Sequence, residues 1–200
     1  GLFYDGMRHL SALSLNLWNA RPLLLSSTVA TNNFLFTADL ANLDVLSEGE
    51  MGIHRGTLHL VRTRFLWRDS CFEKLMFVNH GLENVEVPVR IGFDADFTDV
   101  FEVRGTVRER RGRRLEEKID RNSVILSYEG LDNVVRQTCI RSDADAVAAS
   151  PSGLEFELAL RPKDGFTEVH VGARAVLAPV ERDLRVGPAH LLPVRGRPGV

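Results

Sequence analysis

The 200-residue sequence contains only two cysteines, Cys71 and Cys139, which are too few for a disulfide framework. Each lies in an apolar run typical of a strand, so we expect buried free thiols in a reducing compartment, the cytoplasm. No apolar run approaches the ~20 residues that a membrane-spanning helix needs. No basic-then-apolar signal segment opens the chain either, and we expect no membrane partner.

The sequence has no large excess of charge of either sign, since 25 Lys and Arg stand against 27 Asp and Glu, for a formal net charge of -2. This balance excludes strong global attraction to nucleic acid or to an anionic membrane. A glycine-rich phosphate loop, a G-x-S-x-G nucleophile elbow and zinc-type spacing of cysteine and histidine are all absent from the sequence. We therefore expect no cofactor and no metal, and we assign no catalytic residue.

Short apolar or alternating runs, separated by Gly, Asn, Asp and Pro, fill the first 175 positions. Leu13, Leu15 and Leu17 alternate with polar residues, the period of two that predicts a half-buried strand. About a dozen strands are predicted in this way. The longer ones cover residues 23–29, 34–40, 57–67, 71–79, 85–97, 100–107, 118–128, 134–141, 154–160 and 167–173, with hairpins at residues 68–70 and 80–84.

Helical periodicity is weak throughout, and the best helical candidate is the alanine-rich segment 143–149, closely followed by Pro151. Strands without intervening helices predict an all-β fold with antiparallel sheets, as in a two-sheet β-sandwich or a barrel. We assign residues 1–175 to this domain. Residues 176–200 contain four prolines among Arg and Gly, which predicts a linker or a docking arm.

An acidic run occupies residues 93–105, and a strand there would place Asp94 and Asp96 on one face. Two carboxylates can serve as the acid and base of glycoside hydrolysis, or as oxygen ligands for calcium. They can also pair with arginines such as Arg64 or Arg90, or contact a partner domain. Because i and i+2 carboxylates lie on the same side of a substrate rather than flanking a bond, ion pairing is the favoured interpretation.

A cluster of arginines follows the acidic run, interleaved with glutamates: Arg104, Arg108, Arg110, Arg111, Arg113 and Arg114. Nucleic-acid binding is disfavoured because no aromatic residues are interleaved for base stacking. A solvated hairpin tip between Val107 and Ile119 is the favoured interpretation. A loop that reaches over a neighbouring domain or an anionic ligand is the alternative.

The opening segment, GLFYDGMRHLS, combines aromatic residues with Asp5 and Arg8. Tyr4 and its neighbours could form a rim on which a sugar ring packs, with Asp5 and Arg8 binding hydroxyl groups. The favoured alternative is a first strand fixed in place by an Arg–Asp contact. The six histidines share no ligand spacing on one strand face, and none is assigned a role.

The chain resembles the N-terminal domain of bacterial and archaeal glycogen debranching enzymes of the amylo-α-1,6-glucosidase type in four successive stretches: GLFYDGMRHLSALSLNLW, RPLLLSSTVATNN, RTRFLWRDSCFEKLMFVNHG and VPVRIGFDADFTDVFEVRG. The likeness runs from Gly1 to about Arg114 and more weakly to about Ala175. It implies a supersandwich-like β-sandwich followed by a catalytic (α/α) barrel that carries both catalytic carboxylates. We expect this barrel near or beyond residue 200, and residues upstream of Gly1. Many relatives carry Asp-Thr where this chain has Gly6-Met7.

Three functional hypotheses follow. The first is a non-catalytic accessory domain that packs on the C-terminal catalytic domain of the same chain and helps to shape an α-glucan cleft. Its candidate substrate-contacting or interdomain residues are Tyr4, Asp5, Arg8, Asp94, Asp96 and Arg104. The second is an autonomous carbohydrate-binding module that uses Trp18, Trp67 or Tyr4. The third is a structural domain that dimerises through an edge strand.

Overall fold

The computed structural model of the chain describes residues 1–31, 33–47, 50–162 and 166–179. Sixteen strands and one short helix follow one another within these ranges. They are β1 (Leu2–Tyr4), β2 (Met7–Leu10), β3 (Ala12–Leu17), β4 (Leu23–Val29), β5 (Leu35–Ala41), β6 (Val45–Ser47), β7 (Glu50–Ile53), β8 (Leu58–Trp67), β9 (Ser70–Asn79), β10 (Val85–Asp94), α1 (Val100–Val103), β11 (Arg113–Asp120), β12 (Ser123–Glu129), β13 (Val134–Ser142), β14 (Ala148–Ser150), β15 (Gly153–Leu160) and β16 (Thr167–Pro179). The predicted all-β class with little helix is confirmed, with more and shorter strands than the sequence indicated.

Two large sheets contain most of the strands. The eight-stranded sheet has the order β11-β12-β13-β16-β9-β8-β5-β4, and the four-stranded sheet has the order β14-β15-β10-β3. The hairpins β1-β2 and β6-β7 form two small sheets of their own. Every strand pair is antiparallel, which confirms the predicted two-sheet β-sandwich.

The core lies between the two large sheets because alternate side chains of each strand point inward. Val87, Val89 and Ile91 of β10 are at most 1% exposed, and so are Leu75 and Phe77 of β9 in the other sheet. All five belong to one continuous apolar cluster. Burial of such side chains, at about 25 cal/mol per Å² of apolar area, is the main force that holds the sheets together.

Asn79 organises the passage from one sheet to the other at the end of β9. Its Nδ2 donates to the carbonyl oxygens of Glu83 and Leu160 at 2.8 and 3.0 Å, and its Oδ1 accepts from the N–H of Gly81 at 2.8 Å. Strand β9 pairs with β8 and β16, whereas β10 pairs with β15 and β3. The predicted hairpin at residues 80–84 is therefore wrong, because this turn is a crossover between sheets. The predicted hairpin at residues 68–70 is confirmed, since Trp67 pairs with Ser70.

Residues 100–107, predicted as a strand, begin with the helix α1 and continue as a loop. The Asp99 side chain caps α1 by accepting from the N–H groups of Phe101 and Glu102 at 2.7 and 2.9 Å. The Glu102 carboxylate accepts in return from the N–H of Asp99 at 3.1 Å, which completes a capping box. This D-x-x-E signal was present in the sequence and was missed. No helix in the described residues has the length and apolar character needed to cross a bilayer.

Three further boundaries differ from the prediction. Residues 118–128, predicted as one strand, belong to a hairpin of β11 and β12 that turns at Arg121 and Asn122. Residues 143–149, the helical candidate, form bends that lead into β14. Strand β16 continues past Ala175 and pairs Pro179 with Val134, so residues 176–179 of the predicted arm belong to the sheet. Residues 180–200 of that arm lie outside the described residues.

Candidate functional site

The N-terminal hairpin β1-β2 lies along the segment that follows β10. The N–H of Ser11 donates to the carbonyl oxygen of Asp94 at 2.7 Å, and the N–H of Arg8 donates to that of Thr98 at 2.9 Å. The N–H of Val100 in turn donates to the carbonyl oxygen of Gly6 at 2.9 Å. This backbone ladder brings the opening segment and the acidic run, predicted as two separate sites, into one cluster.

Arg8 and Asp96 form the central ion pair of this cluster. Arg8 Nε donates to Asp96 Oδ1 at 3.0 Å, and Arg8 Nη2 donates to Asp96 Oδ2, a two-point geometry that suits guanidinium and carboxylate. Burial raises the pKa of the Asp96 carboxyl, but hydrogen bonds from Arg8 and Thr98 outweigh it and hold the pKa below its usual value. The predicted Arg–Asp contact that fixes the first strand is thus present, with Asp96 rather than Asp5 as the acid.

Asp94 has different partners from Asp96. It ends β10, and its carboxylate accepts from Arg114 Nη2 and Ser11 Oγ, each at 3.2 Å. Asp96 lies beyond the strand, so the prediction that both carboxylates share one strand face is wrong. The suggested partners are wrong as well, because Arg64 pairs with Glu73 and Arg90 with Glu155.

The arginine cluster folds back onto the acidic run. Arg108 binds Asp99 through Nε and Nη2 at 3.0 and 2.7 Å, and Arg111 Nε lies 3.2 Å from Glu102 Oε1. The segment is therefore a loop closed by ion pairs over α1, not the predicted hairpin tip. Two of its arginines, Arg104 and Arg110, are exposed and make no side-chain hydrogen bond or ion pair with a described residue.

Tyr4 and His9 connect this cluster to the eight-stranded sheet. The His9 ring is fully buried, with Nδ1 3.1 Å from the carbonyl oxygen of Gln137 on β13, and it meets Tyr4 edge-on at 6.1 Å. Burial lowers the pKa of His9, so the ring is neutral at physiological pH. Asp5 is exposed in the hairpin turn with φ of 47°, and its carboxylate makes no hydrogen bond with a described residue.

Apolar side chains are exposed beside the cluster. Val107 is 91% exposed and Phe101 58% exposed, with Val103 on the same short segment. Met7 pairs with both Tyr4 and Asp99, which brings the backbone of the N-terminal hairpin close to the start of α1, and Tyr4 is also exposed. We refer to Tyr4, Phe101, Val103 and Val107 as the hairpin–helix surface. An apolar surface of this kind, rimmed by charges, is typical of a protein contact.

Comparison with known proteins identifies the family of this chain. A family model described as the N-terminal domain of some glycogen debranching enzymes matches residues 1–168. The chain belongs to this family. No curated protein matches the chain. Among solved structures, one described as a "Putative aldose 1-epimerase" from Escherichia coli K12 is similar over 80% of this chain and 70% of that one, at 10% identity and a TM-score of 0.37.

The family match confirms the resemblance that the four quoted stretches indicated. It covers strands β1 to β15 and the start of β16 of this debranching-enzyme N-terminal domain. Among the described residues, no group of three or more His, Cys, Asp or Glu side chains is placed to hold a metal ion. The roles of Tyr4, Asp5, Arg8, Asp94, Asp96 and Arg104 in contacting a substrate or another domain stay predictions.

Aromatic residues on the debranching-enzyme domain form two further surfaces. Trp67 stacks on Phe65 with ring centroids 6.3 Å apart, and the Arg68 guanidinium lies 5.7 Å from the Trp67 ring. Trp18, on the turn after β3, lines a cavity of about 410 Å³ together with Arg21 and Asp44. Trp18 and Trp67 were named as candidates for sugar contact from their residue type alone, and that role stays a prediction. The cavity was missed because its walls are distant in sequence.

Proposed function

We propose that the chain is the non-catalytic accessory domain of a cytoplasmic glycogen debranching enzyme. In this proposal it packs on the catalytic domain that follows it in the parent chain and helps to wall the α-glucan cleft. The family model supports the parent enzyme, because it describes an N-terminal domain of glycogen debranching enzymes. The hairpin–helix surface is the part of the domain that we assign to the contact.

The observation that carries the proposal is the presentation of apolar residues on a braced loop. Val107 and Phe101 lie largely in solvent, yet the segment that holds them is closed by Arg108–Asp99 and Arg111–Glu102 ion pairs. A loop already held in one conformation loses less entropy when it docks. Burial of these side chains by a partner would contribute favourable hydrophobic free energy to docking.

The state of the carboxylates supports a non-catalytic role at this surface. Glycoside hydrolysis needs one carboxylic acid with a raised pKa and a second carboxylate across the scissile bond. Asp96 has a lowered pKa and is bound by Arg8, and Asp94 is bound by Arg114 and Ser11. Both carboxylates are occupied with holding the hairpin and the loop in place.

Hydrogen exchange tests the docking proposal. The 200-residue chain and the full-length parent enzyme are compared under the same conditions, peptide by peptide. We expect amides of residues 100–108 and 3–8 to be more protected in the parent, and those of the crossover turn at residues 80–84 to be unchanged. Equal exchange of residues 100–108 in both proteins would contradict the proposal.

A pair of variants in the parent enzyme provides a second test. Val107→Asp places a charge in the proposed contact. The control, Leu82→Asp, changes another largely exposed side chain (83% exposed) that lies near the other end of β10. We expect only Val107→Asp to increase exchange at residues 3–8 toward that of the isolated chain. The same response to both variants would exclude a specific contact.

Strand β4 favours a second candidate function, self-association. It is one of the two edge strands of the eight-stranded sheet, and all seven of its residues, LLLSSTV, are exposed. An exposed edge strand that carries no charge and is more than half apolar is a template for pairing with another strand. Light scattering across a dilution series would detect a dimer, and Leu25→Lys on this strand should abolish it. A monomer at every concentration would exclude this function for the chain.

A further inference from the structure

A cavity of about 410 Å³ lies where the turn after β3 meets the segment between β5 and β6. Its volume falls within the range of small-ligand sites, about 300–1,000 Å³. The two walls come from opposite sheets of the sandwich, because β3 belongs to the four-stranded sheet and β5 to the eight-stranded one. The cavity is thus a product of the fold and is separate from the hairpin–helix surface.

The lining of the cavity combines an aromatic residue with polar and apolar groups. Trp18, Asn19 and Arg21 come from the turn, Leu43 and Asp44 from the opposite segment, and Pro88 from β10. Trp18 is half-buried and packs against the core, which holds its ring in place. A flat apolar ring surrounded by hydrogen-bonding groups matches a sugar, which has apolar C–H faces and a rim of hydroxyls.

Three polar side chains of the cavity, those of Asn19, Arg21 and Asp44, retain free hydrogen-bonding groups, whereas the Asn42 amide is satisfied by the backbone of Leu43, His54 and Leu58. Asn19 and Arg21 make no side-chain hydrogen bond or ion pair with a described residue. Asp44 uses Oδ1 to accept from the N–H of Arg55 at 2.7 Å, and Oδ2 accepts from none of the described residues. The cluster around Arg8 and Asp96 differs in this respect, because its two central charged groups are paired with each other.

The backbone of the turn is also unusual. Leu17 and Ala20 exchange two hydrogen bonds at 2.9 Å, and the residues between them have positive φ angles, 46° for Trp18 and 63° for Asn19. Turns of this type favour Asn, Asp or Gly at both central positions. Asn19 fits that preference and Trp18 does not, since a bulky residue is strained in this region. The strain is consistent with a ring placed for binding.

We propose that this cavity binds a glucose unit of an α-glucan chain, with Trp18 packing on the pyranose ring and Arg21 and Asp44 binding its hydroxyl groups. The choice of an α-glucan rests on membership of the debranching-enzyme family. The proposal does not depend on docking through the hairpin–helix surface. A domain with such a site would hold a polymer strand near the catalytic domain in addition to packing against it.

Fluorescence titration tests the proposal directly. The chain has two tryptophans, so Trp67→Phe leaves Trp18 as the single reporter. Maltoheptaose is added to this variant up to about 10 mM. We expect a saturable change with a dissociation constant in the millimolar range, and none with cellohexaose, whose glucose units are β-linked. Absence of saturation in a chain that retains its circular dichroism spectrum would overturn the proposal.

Calorimetry on matched variants locates the binding. Arg21→Ala and Asp44→Ala should each weaken maltoheptaose binding by about tenfold. Arg110→Ala, which removes another exposed arginine without a described partner, should leave it unchanged. Trp18→Asn keeps a residue suited to the turn but removes the ring, and should abolish binding. Unchanged affinity in Arg21→Ala and Asp44→Ala, or binding lost only in Trp67→Phe, would overturn the proposal.

The two proposals can fail separately. Exchange at residues 100–108 reports docking whether or not a glucan binds, and maltoheptaose binding can be measured on the 200-residue chain without a partner domain. Loss of the exchange difference would remove the docking role and leave the glucan site standing. Loss of saturable binding would remove the glucan site and leave the docking role standing.

Discussion

Arg8 and Asp96 are 88 positions apart in the chain, and Arg8 Nε donates to Asp96 Oδ1 at 3.0 Å. The pair joins the N-terminal hairpin to the segment after β10, and both side chains are only 27% exposed. Asp96 also accepts from the N–H of Thr98 at 3.3 Å, which fixes the carboxylate on its own segment. The ion pair therefore holds the opening segment to the sandwich.

Replacement of Arg8 should destabilise the domain. Arg8→Ala leaves Asp96 partly buried without its main partner, and the loss of charge-assisted hydrogen bonds is expected to cost about 1–3 kcal/mol. Urea unfolding at neutral pH measures the free energy of unfolding of the wild type and of Arg8→Ala, with Arg110→Ala as the control. A change no larger than that of the control would contradict the structural role of the pair.

The contribution of this pair should depend on pH in a defined direction. The folded-state pKa of Asp96 lies below the ordinary aspartate value of 3.8, so the ionised carboxylate stabilises the fold above that value. The contribution is lost as the pH falls through the lower folded-state pKa. The stability difference between the wild type and Arg8→Ala should therefore shrink in acid. A difference that stays constant down to strongly acidic pH would refute this linkage.

Glu73 should be essential for stability. It is only 2% exposed inside the sandwich, and it accepts from Arg62 Nε at 2.6 Å and Arg64 Nε at 2.7 Å. Glu73→Gln leaves two guanidinium groups without a counter-charge, at an expected cost of about 3 kcal/mol. The thermal unfolding midpoint of this variant is compared with that of Glu157→Gln, which changes an exposed glutamate on β15. Equal midpoints for the two variants would show that Glu73 is dispensable.

Asp99→Ala should loosen α1 and the loop that follows without unfolding the sandwich. The variant removes both the helix cap and the partner of Arg108. Hydrogen exchange of residues 100–108 is expected to accelerate while that of β9 and β10 is preserved, because those strands lie in the core. Glu116→Ala, an exposed residue on β11, serves as the control. Unchanged exchange at residues 100–108 would mean that the cap does not order the segment.

Cys71 should react with thiol reagents only after unfolding. Its side chain is buried and unpaired, and burial raises the pKa of the thiol above the usual value, which disfavours the reactive thiolate. Titration with an aromatic disulfide reagent, in buffer and in denaturant, measures the thiol reactivity of the folded and unfolded chain. The Cys71→Ala variant separates the signal of Cys139. Rapid labelling of Cys71 in the folded chain would contradict its burial.

Strand identity was predictable wherever local pattern and turn chemistry agree. Residues 23–29 were predicted with the bounds that β4 has, and the hairpin at Arg68 was recognised because a turn interrupts two long apolar runs. Prediction was wrong at residues 80–84, since the periodicity of β9 and β10 carries no information on which sheet each strand joins. It was wrong at residues 100–107 because four helical residues are too few to display helical periodicity.

Composition and alternation determined that this protein is all-β with antiparallel sheets, because a period of two buries one face of each strand whatever its neighbours are. They left a sandwich and a barrel open, and the two large, separate sheets of the structure decided for the sandwich. The four quoted stretches were enough to indicate the debranching-enzyme family. Only the tertiary structure decided which charges pair. Arg8 pairs with Asp96 and Arg108 with Asp99 because the fold brings them together, and their separation in the sequence does not indicate these partners. The cavity beside Trp18 likewise exists only where two sheets bring Arg21 and Asp44 together. Side-chain partners across a sandwich depend on strand order, and one sequence does not encode strand order in any local pattern.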